Sequence, residues 1–215
     1  MSARHDDPSV PAHRLFVAVA LPPDAAAAIA TLVERVRADV DDGHPGVRWV
    51  RLDGIHLTLR FLGATTPDRL DAVSAGVRAA AAAAATFRVG LSGAGAFPSV
   101  ARPRVLWLGV TGGTDALGAL AADVEAGMVR AGFPPEGRPF RPHLTIARAD
   151  GVRAGPRTAA RLVELAGDLD VGWTVDHLTL FESHLGGGPA RYERLLDVPL
   201  GSAGGTVVAA PAAPQ

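Results

Sequence analysis

Three His-x-Thr triplets stand in this chain: His56-Leu-Thr-Leu, His143-Leu-Thr-Ile and His177-Leu-Thr-Leu. Its seven histidines and modest threonine content predict roughly 0.4 such triplets by chance, so three is an excess. On a β-strand, residues two apart point to the same side. Each triplet therefore offers an imidazole and a hydroxyl together, while the leucine between them turns to the core. Two such pairs around one cleft suit a phosphodiester. Its hydrolysis needs a base to take a proton from water and an acid to protonate the leaving oxygen. Imidazoles, with an ordinary pKa of about 6.5, divide that work near neutral pH. Threonine hydroxyls and nearby arginines hold phosphate oxygens and meet charge that develops in the transition state. This chemistry requires no metal.

The elements that position these residues read as an internal repeat. Arg14-Leu-Phe-Val-Ala-Val-Ala returns as Arg104-Val-Leu-Trp-Leu-Gly-Val after 90 residues. Asp53-Gly-Ile-His-Leu-Thr-Leu returns as Phe140-Arg-Pro-His-Leu-Thr-Ile after 87, and Phe87-Arg-Val as Trp173-Thr-Val after 86. Apolar or alternating runs at 15–20, 47–50, 55–62, 86–97, 105–110, 143–147, 172–183 and 192–198 read as strands. Segments 22–39, 67–85, 114–131 and 157–166 read as helices. The prediction is an α+β protein: two pseudo-symmetric lobes of antiparallel sheet with helices outside and a central cleft. The lobes are expected to be the halves 14–100 and 104–198 of a single domain, 14–200. Residues 1–13 read as a flexible arm and 201–215 as a disordered tail. In this scheme His56 with Thr58, and His143 with Thr145, occupy equivalent positions and meet across a pseudo-twofold axis. One His-Leu-Thr-Leu on a strand is more often structural than catalytic; two copies in register with a whole-domain repeat reverse that. His177 falls 34 residues after His143 and corresponds to Leu91 at the 86-residue offset. It reads as a packing or rim residue. His13, His44 and His184 read as surface histidines.

Composition narrows the function classes. The chain has 215 residues, 48% hydrophobic and 20% charged, with a formal net charge of −1. That excludes a disordered chain. It gives no support for a broadly basic nucleic-acid binder, so any anion site must be local. All 21 basic residues are arginine, with Arg48, Arg51 and Arg60 in one stretch and Arg138, Arg141 and Arg148 in another. There are no cysteines, hence no thiol catalysis and no thiolate metal site. The alanine run 79–85 is far shorter than the ~20 residues of a membrane span. The N-terminus lacks a secretory apolar segment, and a cytoplasmic location is expected. A monomer is expected too, because the repeat supplies within one chain what a homodimer supplies by symmetry. A metallohydrolase built on His44, His56, His143 and His177 is a weaker reading, since none has close ligand spacing such as His-x-His or His-x-x-x-His. A noncatalytic RNA-binding module is disfavoured by two intact motifs and by only 5% aromatic residues, which leave few stacking platforms for a long single strand.

At these residues the chain resembles the 2H phosphoesterases, a family with two His-x-Thr/Ser motifs. The likeness extends over about 14–200. It takes in Arg14-Leu-Phe-Val-Ala-Val, the stretch from Val47-Arg-Trp-Val to His56-Leu-Thr-Leu-Arg-Phe-Leu-Gly, and Pro139-Phe-Arg-Pro-His-Leu-Thr-Ile-Ala-Arg. It also includes Leu180-Phe-Glu-Ser-His-Leu followed by Gly and Tyr192. The branch most similar is the RNA 2′,3′-cyclic phosphodiesterases of the bacterial 2′-5′ RNA ligase type. The resemblance implies the two-lobed fold of that family, no cofactor, and hydrolysis of an RNA 2′,3′-cyclic phosphate end to a 2′-phosphate. Ligation would be the reverse reaction, and a small cyclic nucleotide or a 2′-5′ linkage the alternative substrates. It further implies His56 as proton donor to the leaving 3′-oxygen and His143 as proton acceptor from water. Thr58 and Thr145 would bind the phosphate, with Arg148 contacting it and Phe16 near the base or ribose. Which histidine is the acid comes from the resemblance alone. Arg60, four after His56, is expected to face the cleft more readily than Arg141, which Pro142 separates from His143.

Overall fold

The computed structural model describes residues 13–40, 46–149, 154–184 and 190–201. The expected arm and tail, apart from His13 and Gly201, lie outside these residues, as does His44. Along the chain run β1 (His13–Ala20), α1 (Pro23–Val40), β2 (Val47–Trp49), β3 (His56–Thr65), α2 (Leu70–Ala83), β4 (Phe87–Ser99) and β5 (Arg102–Gly112). Then come α3 (Thr114–Arg130), β6 (His143–Ala149), α4 (Ala154–Leu165), β7 (Val171–Val175), β8 (His177–His184) and β9 (Arg191–Pro199). Local chemistry accounts for the helices. In α1 a proline and Asp24 occupy the first turn, and Ile29, Leu32, Val33 and Val36 form the buried stripe. A short 3-10 turn at Pro67–Arg69 leads into α2.

The strands form two antiparallel sheets, ordered β3-β1-β8-β9 and β2-β6-β5-β4-β7. The α+β architecture of two sheets with outer helices is the expected one. The division into consecutive halves is not. The expected strand 172–183 breaks at Asp176: β7 pairs with β4 in the five-stranded sheet, and β8 pairs with β1 in the four-stranded sheet. In exchange, β4 leaves the first half and pairs with β5. The burial patterns give the reason. β7 alternates buried and exposed, as an edge strand with one wet face does. β8 buries four residues in succession, as a central strand covered on both faces does. The third repeat match therefore joins neighbours rather than symmetry mates, with Val89 directly opposite Trp173.

The helices are exchanged in the same way. α2 and α3 cover the outer face of the four-stranded sheet, and α1 and α4 that of the five-stranded sheet. α2 and α3 approach closely where two glycines meet: a Cβ on Gly76 would lie 3.2 Å from the Gly127 backbone. Among the described residues, no helix is long and apolar enough to cross a membrane.

Candidate active site

β3 and β6 run alongside one another where the two sheets meet, with Cα atoms within 8 Å. His56 is the first residue of β3 and His143 the first of β6. Both histidines are held alike. The Nδ1–H of His56 donates to the Gly54 carbonyl at 2.7 Å, and that of His143 to the Arg141 carbonyl at 2.7 Å. A carbonyl only accepts, so Nδ1 carries a proton in each ring and Nε2 is the nitrogen left for chemistry. Thr58 and Thr145 follow two residues on, both half-buried, while Leu57 and Leu144 are in the core.

Each strand then bulges. The β1–β3 register jumps from Ala18↔Thr58 to Val17↔Arg60, passing over Leu59. The β5–β6 register jumps from Trp107↔Thr145 to Leu106↔Ala147, passing over Ile146. One extra residue reverses the alternation that follows. Residues four after each histidine, Arg60 and Ala147, turn to the core side. Residues five after, Phe61 and Arg148, turn to the cleft. Arg60 thus departs from expectation: its guanidinium is 9% exposed, meets Glu125 of α3 at 2.6 Å and Glu136 at 3.3 Å, and donates to the Pro134 carbonyl. Arg141 is exposed, and its backbone carbonyl is what holds His143.

The His56 ring lies among aromatic rings. Phe16 is 4.6 Å away, Phe181 is stacked at 5.7 Å, and Tyr192 meets it edge-on at 5.0 Å. This burial pushes the His56 pKa down from 6.5 to about 4, against the raising effect of the Gly54 carbonyl. His56 is therefore neutral at pH 7 in the unliganded protein. His143 is half-buried, with Phe97 edge-on at 5.1 Å. Phe16 is only 1% exposed and lies beneath His56, Tyr192 and Phe181. It supports the imidazole and offers no open face.

The charge of Arg148, exposed on β6, is felt at Tyr192 in the four-stranded sheet. Burial raises the Tyr192 pKa, and the positive charge of Arg148 opposes that rise, so a guanidinium from β6 lies near the phenol beside His56. Arg48 sits directly opposite Arg148 on β2. Two like charges on facing strand positions are unfavourable unless an anion or another partner offsets them.

His177 is not brought to His56. Thr179 faces Ala18, which faces Thr58, so the third triplet lies two strands over, roughly 10 Å away at ordinary strand spacing. Thr179 is fully buried and donates to Asp197 at 2.5 Å, and the exposed His177 bonds Asp176 at 2.9 Å. Among the described residues, one group could hold a metal: Glu182, His184 and Glu193, with ligand atoms within 4.8 Å of one another. It contains none of the four histidines of the metallohydrolase reading.

The sequence did not single out Gly54, and it named Phe16 and Tyr192 without placing them around His56. A Cβ at Gly54 would lie 2.8 Å from the Tyr192 ring, so glycine at this position lets Tyr192 close over the loop that holds His56. Tyr192 is the chain's one tyrosine, and its neighbourhood is set by the strand exchange, which local pattern does not reveal.

Residues 21–187 match the sequence family described as the 2′-5′ RNA ligase superfamily. The RNA 2′,3′-cyclic phosphodiesterase of Aeropyrum pernix is 38% identical over 164 residues, covering 75% of this chain and 92% of that protein. Among solved structures, E. coli LigT complexed with 3′-AMP superposes with a TM-score of 0.66 at 27% identity, over 89% of this chain and 100% of its own. The protein TT0787 of Thermus thermophilus gives a TM-score of 0.68 at 26% identity, with the same coverage of 89% and 100%.

Proposed function

The chain belongs to the 2′-5′ RNA ligase superfamily, and from that premise we propose that it hydrolyses RNA 2′,3′-cyclic phosphate ends to 2′-phosphomonoesters without a metal ion. The observation that carries this reading is the matched pair His56 and His143, each with Nδ1–H pinned to a carbonyl two residues upstream. In the proposed step, His143 Nε2 takes a proton from water as the water oxygen bonds to phosphorus. The bond from phosphorus to the 3′-oxygen breaks, and His56 Nε2–H supplies the proton to that oxygen. Thr58 and Thr145 hold the phosphate oxygens, and Arg148 meets their charge. Phe16 acts through His56, as the ring beneath it.

The donor role sets a condition. His56 is neutral at pH 7 before substrate binds, so its proton arrives with the anionic phosphodiester, whose charge favours the imidazolium. Ligation of 2′-5′ ends is the same chemistry in reverse. The sequence expectations of a monomer and a cytoplasmic location go with this reading: both histidines come from one chain, and the protein has no cysteine with which to form the disulfides common in oxidising compartments.

The test is turnover of an oligoribonucleotide ending in a 2′,3′-cyclic phosphate, in excess EDTA, with 2′- and 3′-phosphate products resolved. The reading expects the 2′-phosphate, at a rate indifferent to EDTA. Loss of turnover in EDTA would favour a metal-dependent reaction, and no turnover in any condition would favour an RNA-end-binding module.

A further inference from the structure

Away from the cleft, one end of the four-stranded sheet gathers two carboxylates and two imidazoles. Glu182 of β8 stands directly opposite Glu193 of β9, and His184 follows Glu182 by two residues. Residues two apart on a strand share a face, and so do cross-strand partners. These three side chains therefore emerge together. Their face is the one turned from the cleft. Phe181 and Tyr192, each one residue earlier on its strand, meet the His56 ring, whereas Glu182 pairs with the core residue Leu15. His184 Nε2 lies 3.1 Å from a Glu193 carboxylate oxygen, and the ligand atoms of all three residues fall within 4.8 Å of one another. From β1, His13 Nδ1 meets a Glu182 oxygen at 2.9 Å. Two carboxylates that face each other across a strand pair repel, and a cation between them removes that cost. Arg191, opposite His184, is exposed, where water and salt screen its charge.

The donor set selects the ion. An imidazole with two carboxylates suits Zn²⁺, whereas Mg²⁺ and Ca²⁺ take oxygen ligands. Three protein ligands with water in the fourth position is an arrangement zinc adopts. Bonds of about 2.0 Å to Zn²⁺ put tetrahedral ligand atoms roughly 3.3 Å apart. His184 and Glu193 are about half exposed, so rotation of their side chains brings the three groups to that spacing. Glu182 is held more firmly, at 15% exposed. His13 bonds its carboxylate as outer partners bond metal-bound carboxylates, fixing one oxygen and leaving the other to the ion. We propose that Glu182, His184 and Glu193 form a binding site for Zn²⁺, with His13 as a positioning residue. The ion bridges β8 and β9, the strands whose opposite face carries Phe181 and Tyr192, and so steadies the enclosure of His56 from behind. It lies on the face turned from the two catalytic candidates and takes no part in their proton transfers.

The experiment titrates the chelator-stripped full chain with zinc chloride, followed by calorimetry and by thermal unfolding. It compares the unaltered protein with Glu193→Gln, His184→Asn, His13→Ala and His143→Ala. Glu193 and His184 are exposed enough for their variants to fold. The expected result is saturable binding of one Zn²⁺ per chain, with Tm raised by roughly 5 °C or more at free Zn²⁺ about 100 times its Kd. EDTA should reverse that rise. Affinity should fall more than about tenfold in Glu193→Gln and in His184→Asn, fall about tenfold in His13→Ala, and hold in His143→Ala. No saturable binding, or undiminished binding by Glu193→Gln and His184→Asn, would overturn the proposal. An equal rise in Tm from magnesium chloride at the same concentration would overturn the choice of ion and the proposal with it. Binding lost in His143→Ala would place the ion in the catalytic cleft, which also overturns it.

Discussion

At the scale of single residues, the two catalytic candidates share one local arrangement but differ in surroundings. Both imidazoles donate Nδ1–H to a carbonyl two residues back. Only His56 is enclosed by Phe16, Phe181 and Tyr192, and this burial lowers its pKa from 6.5 to about 4. The sign follows directly. Between pH 4 and 6.5 the free protein leaves this ring neutral, whereas an imidazolium stabilised by a bound anion retains its proton. Binding of sulfate, a tetrahedral anion that does not itself titrate at pH 5.5, should therefore take up a proton. Titration calorimetry in buffers of different ionisation enthalpy reads this uptake directly. Binding with no proton uptake would remove His56 from the donor role and assign that role to His143.

At the scale of elements, the bulges decide which side chains meet a substrate. Strict alternation from His56 sends Arg60 into the cleft; one extra residue at Leu59 sends it to Glu125 instead. Arg60→Ala should lower stability by about 3 kcal/mol, as when one partner of a buried ion pair is removed. Denaturant unfolding measures this, and kcat/KM of the folded variant should be unchanged. A large kcat/KM loss at full stability would return Arg60 to the site. His177→Ala should keep most activity, since that ring is exposed and tied to Asp176. A loss in initial-rate assays equal to that of the His143 variant would contradict the two-motif scheme. The motif pairs were legible in the sequence because strand periodicity and a repeat suffice to find them. The bulges were not, because Leu59 and Ile146 resemble any other core leucine or isoleucine. Arg148 entered through family likeness, and the bulge supplies the physical reason that an odd offset from His143 still faces the cleft.

At the scale of the whole molecule, the two lobes are interlocked. Each half of the sequence lends strands to the other's sheet: β2 and β4 go to the five-stranded sheet, β8 and β9 to the four-stranded one. α1 and α3 likewise cover the sheet that the preceding strand does not belong to. The sequence showed the α+β class and the two-lobed plan through its repeat. It did not show the exchange, because 172–183 reads as one strand and only a slip of its apolar alternation, from Trp173 and Val175 to Leu178 and Leu180, marks the break at Asp176. Neither half can bury its own apolar faces alone. Residues 14–100 expressed separately should show no cooperative thermal transition, whereas mixing them with 101–201 should restore one. Independent folding of the 14–100 fragment, seen by circular dichroism and calorimetry, would contradict this picture.

The central claim is that His56 and His143 share one pair of proton transfers. Its most direct test is the hydrolysis rate of a nucleoside 2′,3′-cyclic phosphate by the unaltered protein, His56→Ala, His143→Ala and the double variant. Groups that act as a unit are not additive. Each single variant should lose about 10³-fold in kcat, within the usual range for acid–base groups, and the double variant should fall little further. A single variant near full rate, or a double variant whose loss is the product of the two single losses, would contradict the account.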